Sequence, residues 1–151
     1  MFKKVVSLCI VIITCLFLIQ CSSSNKTASK YNNKILGLWE RVGDNRAGLV
    51  VKVEQLSKQD SYLGKIVYTT KPVPKYEIDD ILWQNIQGIN STQWTGYILG
   101  KQDTFFSGIV SSTYEAKFLL INDNLLEIYT DGQTQKWIRT NESAFKESYY
   151  E

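Results

Sequence analysis

Two short motifs, one at each end of the patterned part of the chain, constrain the fold most. The first is Gly37-Leu38-Trp39, within Ile35-Leu36-Gly37-Leu38-Trp39-Glu40-Arg41-Val42. The second is Trp137-Ile138-Arg139, within Thr134-Gln135-Lys136-Trp137-Ile138-Arg139. Both sit in strand-like stretches almost a hundred residues apart. A sheet of many short strands leaves two exposed edges, and closing the sheet on itself removes them. Closure sets the first strand beside the last. Residues two apart in a strand share a face, so Trp137 and Arg139 point the same way. A guanidinium lying over an indole ring contributes about 0.5–2 kcal/mol. Gly37, Trp39, Trp137 and Arg139 are therefore read as structural closure, with Trp39 plugging one end of a barrel.

The stretch between the motifs supports that reading. Gly48 to Gln55 alternates, with Val51 and Val53 facing one way and Lys52 and Glu54 the other. Tyr62 to Thr69 is a third strand after a turn at Ser57 to Ser61. Thr70 to Asp80 holds both prolines of the chain and reads as a loop, because proline has no amide donor for a central strand. Ile81 to Ile86 reads equally as a strand or a brief helical turn. Thr92 to Leu99 is a strand with Trp94 and Tyr97 on opposite faces. Gly100 to Asp103 reads as a turn into another strand, Thr104 to Ser111. Tyr114 to Ile121 puts Tyr114, Ala116, Phe118 and Leu120 on one face. Asn122 to Asn124 turns into Leu125 to Thr130, and Asp131-Gly132 is a hairpin signal before the closing strand, which runs to Thr140. Eight or nine short strands with a turn about every ten residues predict an all-β, up-and-down antiparallel barrel over 35–140.

What precedes the barrel is of a different kind. Lys3 and Lys4 open a basic start, and Val5 to Ile19 is an almost unbroken apolar run. The run is shorter than the ~20 apolar residues a spanning helix needs, so it reads as a secretory signal. It ends in Leu18-Ile19-Gln20-Cys21-Ser22-Ser23-Ser24, which resembles the lipobox of bacterial lipoproteins, although Gln20 stands where that motif has a small residue. The resemblance implies a signal peptide over 1–20 and lipidation of Cys21. Two or three acyl chains such as palmitate bind a membrane firmly, whereas one binds marginally. Ser22 after the Cys resembles signals for outer-membrane delivery. Residues 21–34, rich in Ser, Asn and Lys, read as a flexible tether. Residues 141–151 form a tail.

Processing at that site changes the chemistry available. Cys9 and Cys15 leave with the leader and Cys21 carries lipid, so the domain has no thiol for disulfide or metal. Loss of Lys3 and Lys4 takes the basic count from 17 to 15, against 15 acidic residues. A neutral domain has no electrostatic footprint for nucleic acid. The chain contains no His, which removes the commonest general base and metal ligand. Glu77, Asp79 and Asp80 are a local acidic cluster whose spacing matches no calcium loop. These features point to a non-enzyme with no catalytic residues, no metal and no cofactor. The aromatic stock of 4 Trp, 9 Tyr and 6 Phe either lines a cavity or fills the core; for strands this short, a filled interior is expected.

Gly37-Leu38-Trp39, Gly64-Lys65-Ile66-Val67, Trp94-Thr95-Gly96-Tyr97-Ile98, Tyr114-Glu115-Ala116-Lys117 and Thr134 to Arg139 fall in one ordered series over nearly the whole domain. The series resembles the lipocalin-like, or calycin, barrels. It most resembles a family of small secreted bacterial domains of unknown function with that barrel. It departs at Lys71 to Asp80, where that family has Asn-Pro and Arg-bearing turns. The resemblance implies a fold and an envelope location, with no particular activity and no known ligand-binding residues. Two functions follow as expectations. One is a membrane-anchored binding barrel for a small apolar or envelope-derived ligand. The other is an interaction lipoprotein, such as a lysozyme or protease inhibitor or an envelope-complex component. A hollow barrel would favour the first, and a filled one with Lys71 to Asp80 projecting would favour the second.

Overall fold

A computed structural model describes residues 32–56, 61–105 and 108–143. The signal peptide, Cys21, most of the tether, most of the predicted Ser57 to Ser61 turn and most of the tail lie outside the described residues. A 3-10 turn, Asn32–Ile35, leads into eight strands: β1 Gly37–Val42, β2 Leu49–Gln55, β3 Ser61–Thr69, β4 Ile81–Gly88, β5 Gln93–Thr104, β6 Gly108–Asn122, β7 Leu125–Thr130 and β8 Gln133–Thr140. Each strand pairs antiparallel with the next, and β8 pairs with β1 to close an up-and-down barrel. The closing register sets Trp39 opposite Arg139 and Arg41 opposite Trp137.

The structure differs from the sequence reading in two places and decides between its alternatives in a third. Ile35 belongs to the 3-10 turn, so the first strand starts at Gly37. Ile81 to Ile86 is strand, bent by an irregularity between Gln84 and Gln87 where Asn85 takes φ +47°. Gly100 to Asp103 is the body of β5, not a turn, and the chain reverses after Thr104. Gly100 is there for space: a Cβ at that position would lie 2.6 Å from the Tyr114 ring across the pair. The expected Thr104 to Ser111 strand is thus replaced by a reversal and the start of a 15-residue β6.

The inward residues make a continuous apolar core. Trp39, Trp83, Trp94, Trp137, Tyr62 and Phe118 are its largest fully buried side chains. Trp83 meets Trp137 edge-on with centroids 4.8 Å apart, and Phe118 at 5.4 Å. Such T-shaped contacts add about 0.5–1.5 kcal/mol to area burial. The interior is therefore packed with indoles.

Up-and-down topology sorts the connections to two ends. The 3-10 turn and the β2–β3, β4–β5 and β6–β7 turns share one end; the β1–β2, β3–β4, β5–β6 and β7–β8 connections share the other. The β3–β4 loop does not project as a free arm. Its Val73 and Tyr76 are buried with the core, and Asp79 N–H donates to the Ile66 carbonyl while Ile66 N–H donates to the Asp80 carbonyl.

Candidate functional site

At the closed end, Gly37, Trp39 and Arg139 converge. The Arg139 Cζ stands 4.2 Å from the centroid of Trp39. Its guanidinium donates to three backbone carbonyls: Leu36 at 2.8 Å, Lys34 at 2.6 Å and Asp123 at 2.7 Å. Burial holds its pKa below the ordinary guanidinium value, still far above neutrality. The Trp39 indole donates to the Ile35 carbonyl at 2.8 Å. Gly37 takes φ +117°, and a Cβ there would lie 2.9 Å from Arg139 Nη1. Trp137 lies a layer deeper, and the Arg41 Cζ is 5.7 Å from its centroid. Arg41, only 5% exposed, is held bidentate by Asp44 of the β1–β2 turn, its Nη2 at 2.7 Å from Oδ2. At this end the Arg139 guanidinium and the Trp39 indole thus donate to backbone carbonyls of the 3-10 turn, of Leu36 and of the β6–β7 turn, whereas the Arg41–Asp44 pair sits with the β1–β2 turn at the other end.

The open end is polar. A recess of about 120 Å³ is lined by Arg46, Gln102, Tyr114, Thr130, Gln133 and Gln135, among others. Gln135 is 6% exposed, and its Oε1 accepts from the Trp137 indole at 3.4 Å. Gln102 donates to the Tyr114 hydroxyl at 3.1 Å. The Thr130 hydroxyl is buried and makes no hydrogen bond among the described residues. Arg46 reaches the Tyr76 hydroxyl at 3.3 Å, its Cζ 5.6 Å from that ring. Among the described residues no carboxylate pairs with its guanidinium. Lys101 also belongs to this rim, and its ammonium is committed to Asp80 at 2.5 Å. Taken together, the recess offers a guanidinium, three carboxamides and two hydroxyls above an apolar floor. Such a set hydrogen-bonds a small polar molecule. Of these residues the sequence offers only Tyr114, as one of the aromatics able to line a cavity; the polar ones were missed, although the alternation that turns Trp137 and Arg139 inward turns Gln133 and Gln135 inward as well.

The acidic cluster of the β3–β4 loop is spent on structure. Asp80 accepts from the Glu77 N–H at 2.8 Å and pairs with Lys101, and Asp79 pairs with Lys65 at 3.2 Å. Burial alone would raise the Asp80 pKa. The hydrogen bonds from Lys101 and Glu77 outweigh it and hold the carboxyl below its usual range. Among the described residues no cluster of three or more metal-type side chains occurs.

A second concavity, of about 550 Å³, lies on the outer face of the barrel where β6 parts from β7. Thr95, Tyr97, Glu115, Lys117 and Tyr129 point outward into it. Tyr97 and Tyr129 are about two-fifths exposed. The Tyr129 hydroxyl donates to Glu127, which raises its pKa above the usual phenol value.

No protein-family model matches the sequence, and no curated protein matches it. Among solved structures, the chain is similar to protein HP1028 from the human pathogen Helicobacter pylori, described as belonging to the lipocalin family. The TM-score is 0.52 at 15% identity, over 76% of this chain and 88% of that one. A likeness at that identity concerns the fold alone. This chain folds as an all-β, lipocalin-like barrel of eight antiparallel strands.

Proposed function

We propose that the protein is a non-catalytic binding barrel, hung from the bacterial envelope by acyl chains on Cys21, which captures a small polar envelope-derived molecule at its open end. The observation that carries this reading is Gln135: its carboxamide is 6% exposed and lines a recess directly above a core filled with indoles. An apolar ligand of lipid size requires the space those indoles occupy, so the polar recess is the better receptor. The 3-10 turn, Asn32–Ile35, stands at the closed end, and the recess opens at the other end of the barrel. The lipobox resemblance of Leu18 to Cys21 supports the anchor, and Ser22 supports the outer membrane as its destination.

The test is native mass spectrometry of the mature protein purified from bacterial envelope. A small polar adduct that is lost in Gln135→Leu is the expected result. A co-purified lipid, or a bare mass in every preparation, would overturn the reading. A second reading, an interaction lipoprotein such as a lysozyme or protease inhibitor, draws on the outer concavity. It predicts a bare mass together with a co-purifying protein that Gln135→Leu does not release.

A further inference from the structure

The β5–β6 hairpin outreaches the barrel. β6 pairs with β5 from Gly108 to Leu119, but with β7 only from Lys117 onward. Among the described residues, Gly108 to Ala116 therefore present one edge of nine residues with no strand beside it. At 3.4 Å per residue this edge is about 30 Å long. Natural edges are normally guarded by lysine, proline or a short span. This one reads Gly-Ile-Val-Ser-Ser-Thr-Tyr-Glu-Ala, with no Lys, Arg or Pro and a single charge, Glu115. Ile109 and Val110 of this edge are 55% and 39% exposed, and Phe105, just before it, is 96% exposed; Ala116 at its other end is buried.

We propose that this edge is where a second copy of the chain docks, β6 against β6 in antiparallel register about a two-fold axis near Ser112. An isologous interface requires a surface that complements itself, and this edge does so in two ways. Antiparallel self-pairing centred on Ser112 sets Gly108 against the partner's Ala116 and Ile109 against the partner's Glu115, so no like charges oppose. The outer concavity begins where the free edge ends, at Glu115 to Lys117. There β7 blocks further pairing, so the partner's hairpin tip is turned onto the outer face. Its exposed Phe105 and Ile109 meet a hollow of about 550 Å³ walled by Tyr97 and Tyr129. That volume lies in the range of a drug-sized ligand, ample for an aromatic side chain. Each copy thus supplies one tip and receives one. The hollow and the polar recess share Thr130 and Asp131 in their walls, and Tyr114 of the edge also lines the recess.

The experiment uses the full chain in its native envelope, with Ser112→Cys as a reporter at the proposed axis and Asn90→Cys, in the exposed β4–β5 turn, as control. Under mild oxidation Ser112→Cys is expected to give a band of twice the monomer mass that reductant removes. Asn90→Cys should give at least tenfold less, and adding Ile109→Lys to Ser112→Cys should lower the yield at least tenfold with an unchanged circular dichroism spectrum. Sedimentation of the mature protein in detergent should show a dimer that Ile109→Lys converts to monomer. Monomer alone, equal crosslinking at both positions, or a crosslink to a different protein would overturn the proposal.

Discussion

Arg139 lies face-on over Trp39, its Cζ 4.2 Å from the ring centroid, and from that position its donors reach the 3-10 turn and the β6–β7 turn at once. One side chain therefore joins the entry of the chain, the first strand and a distant turn. Charge-assisted hydrogen bonds contribute about 1.5–3 kcal/mol when their partners are desolvated, and the stacking adds about 0.5–2 kcal/mol. Arg139→Ala is expected to destabilise the barrel by about 2–4 kcal/mol in urea unfolding followed by tryptophan fluorescence. Arg139→Lys should recover less than half of the loss, because an ammonium has no planar fork to reach three carbonyls while stacked. A change below about 0.5 kcal/mol for Arg139→Ala would remove this residue from any account of closure.

Trp83 tests how the core is filled. It is fully buried between Trp137 and Phe118, yet among the described residues its indole N–H has no hydrogen-bond partner. Removing the whole ring should leave a cavity and cost about 3–5 kcal/mol. Trp83→Phe removes less volume and also removes a buried donor that costs about 1–3 kcal/mol unpaired. The Phe variant is therefore expected to lose less than half of what Trp83→Ala loses in the same unfolding assay. Equal losses would mean that a phenyl ring does not fill the space that the Ala variant leaves empty.

Much of the barrel was legible because period-two alternation survives wherever one face is dry. Val51 and Val53, and Ala116, Phe118 and Leu120, are buried on the faces their spacing assigns. The reading failed at Gly100 because glycine has two uses. It marks turns, but it also marks close approach, and here the Tyr114 ring occupies the place of its Cβ. Ile81 to Ile86 was ambiguous because its strand is bent at Asn85, which spoils the alternation. The recess was hidden for another reason. Arg46, Gln102 and Gln135 come from separate turns and strands, and only the closed register brings them to one rim. The cap formed by Val73 and Tyr76 was missed because two prolines suggest a projecting loop, whereas burial of two side chains folds it down.

The anchor is tested separately from the barrel. If Cys21 carries the acyl chains, Cys21→Ala removes the only firm attachment of a neutral domain to the bilayer. The variant is expected to move almost wholly from the membrane pellet to the soluble fraction after ultracentrifugation, with its unfolding midpoint unchanged. Persistence of the variant in a carbonate-washed pellet would exclude lipidation at Cys21 as the attachment.

The pair between Asp80 and Lys101 gives the barrel a pH dependence of known sign. Both side chains are largely shielded, at 21% and 15% exposure, and together they pin the β3–β4 loop to β5. Burial opposes ionisation of Asp80, but the Lys101 and Glu77 hydrogen bonds win and depress its folded-state pKa. In the unfolded chain the same carboxyl titrates near about 3.9. Between those two values the unfolded state binds more protons than the folded state, so stability rises with pH across the window. The contribution is fully present above the unfolded value and is lost as pH falls through the folded one. In Asp80→Asn the unfolding free energy should fall less steeply below about pH 4 than in the wild type. Above about pH 5 the variant should be uniformly less stable. Parallel wild-type and Asp80→Asn profiles from pH 2 to 7 would show that this carboxylate is not linked to folding.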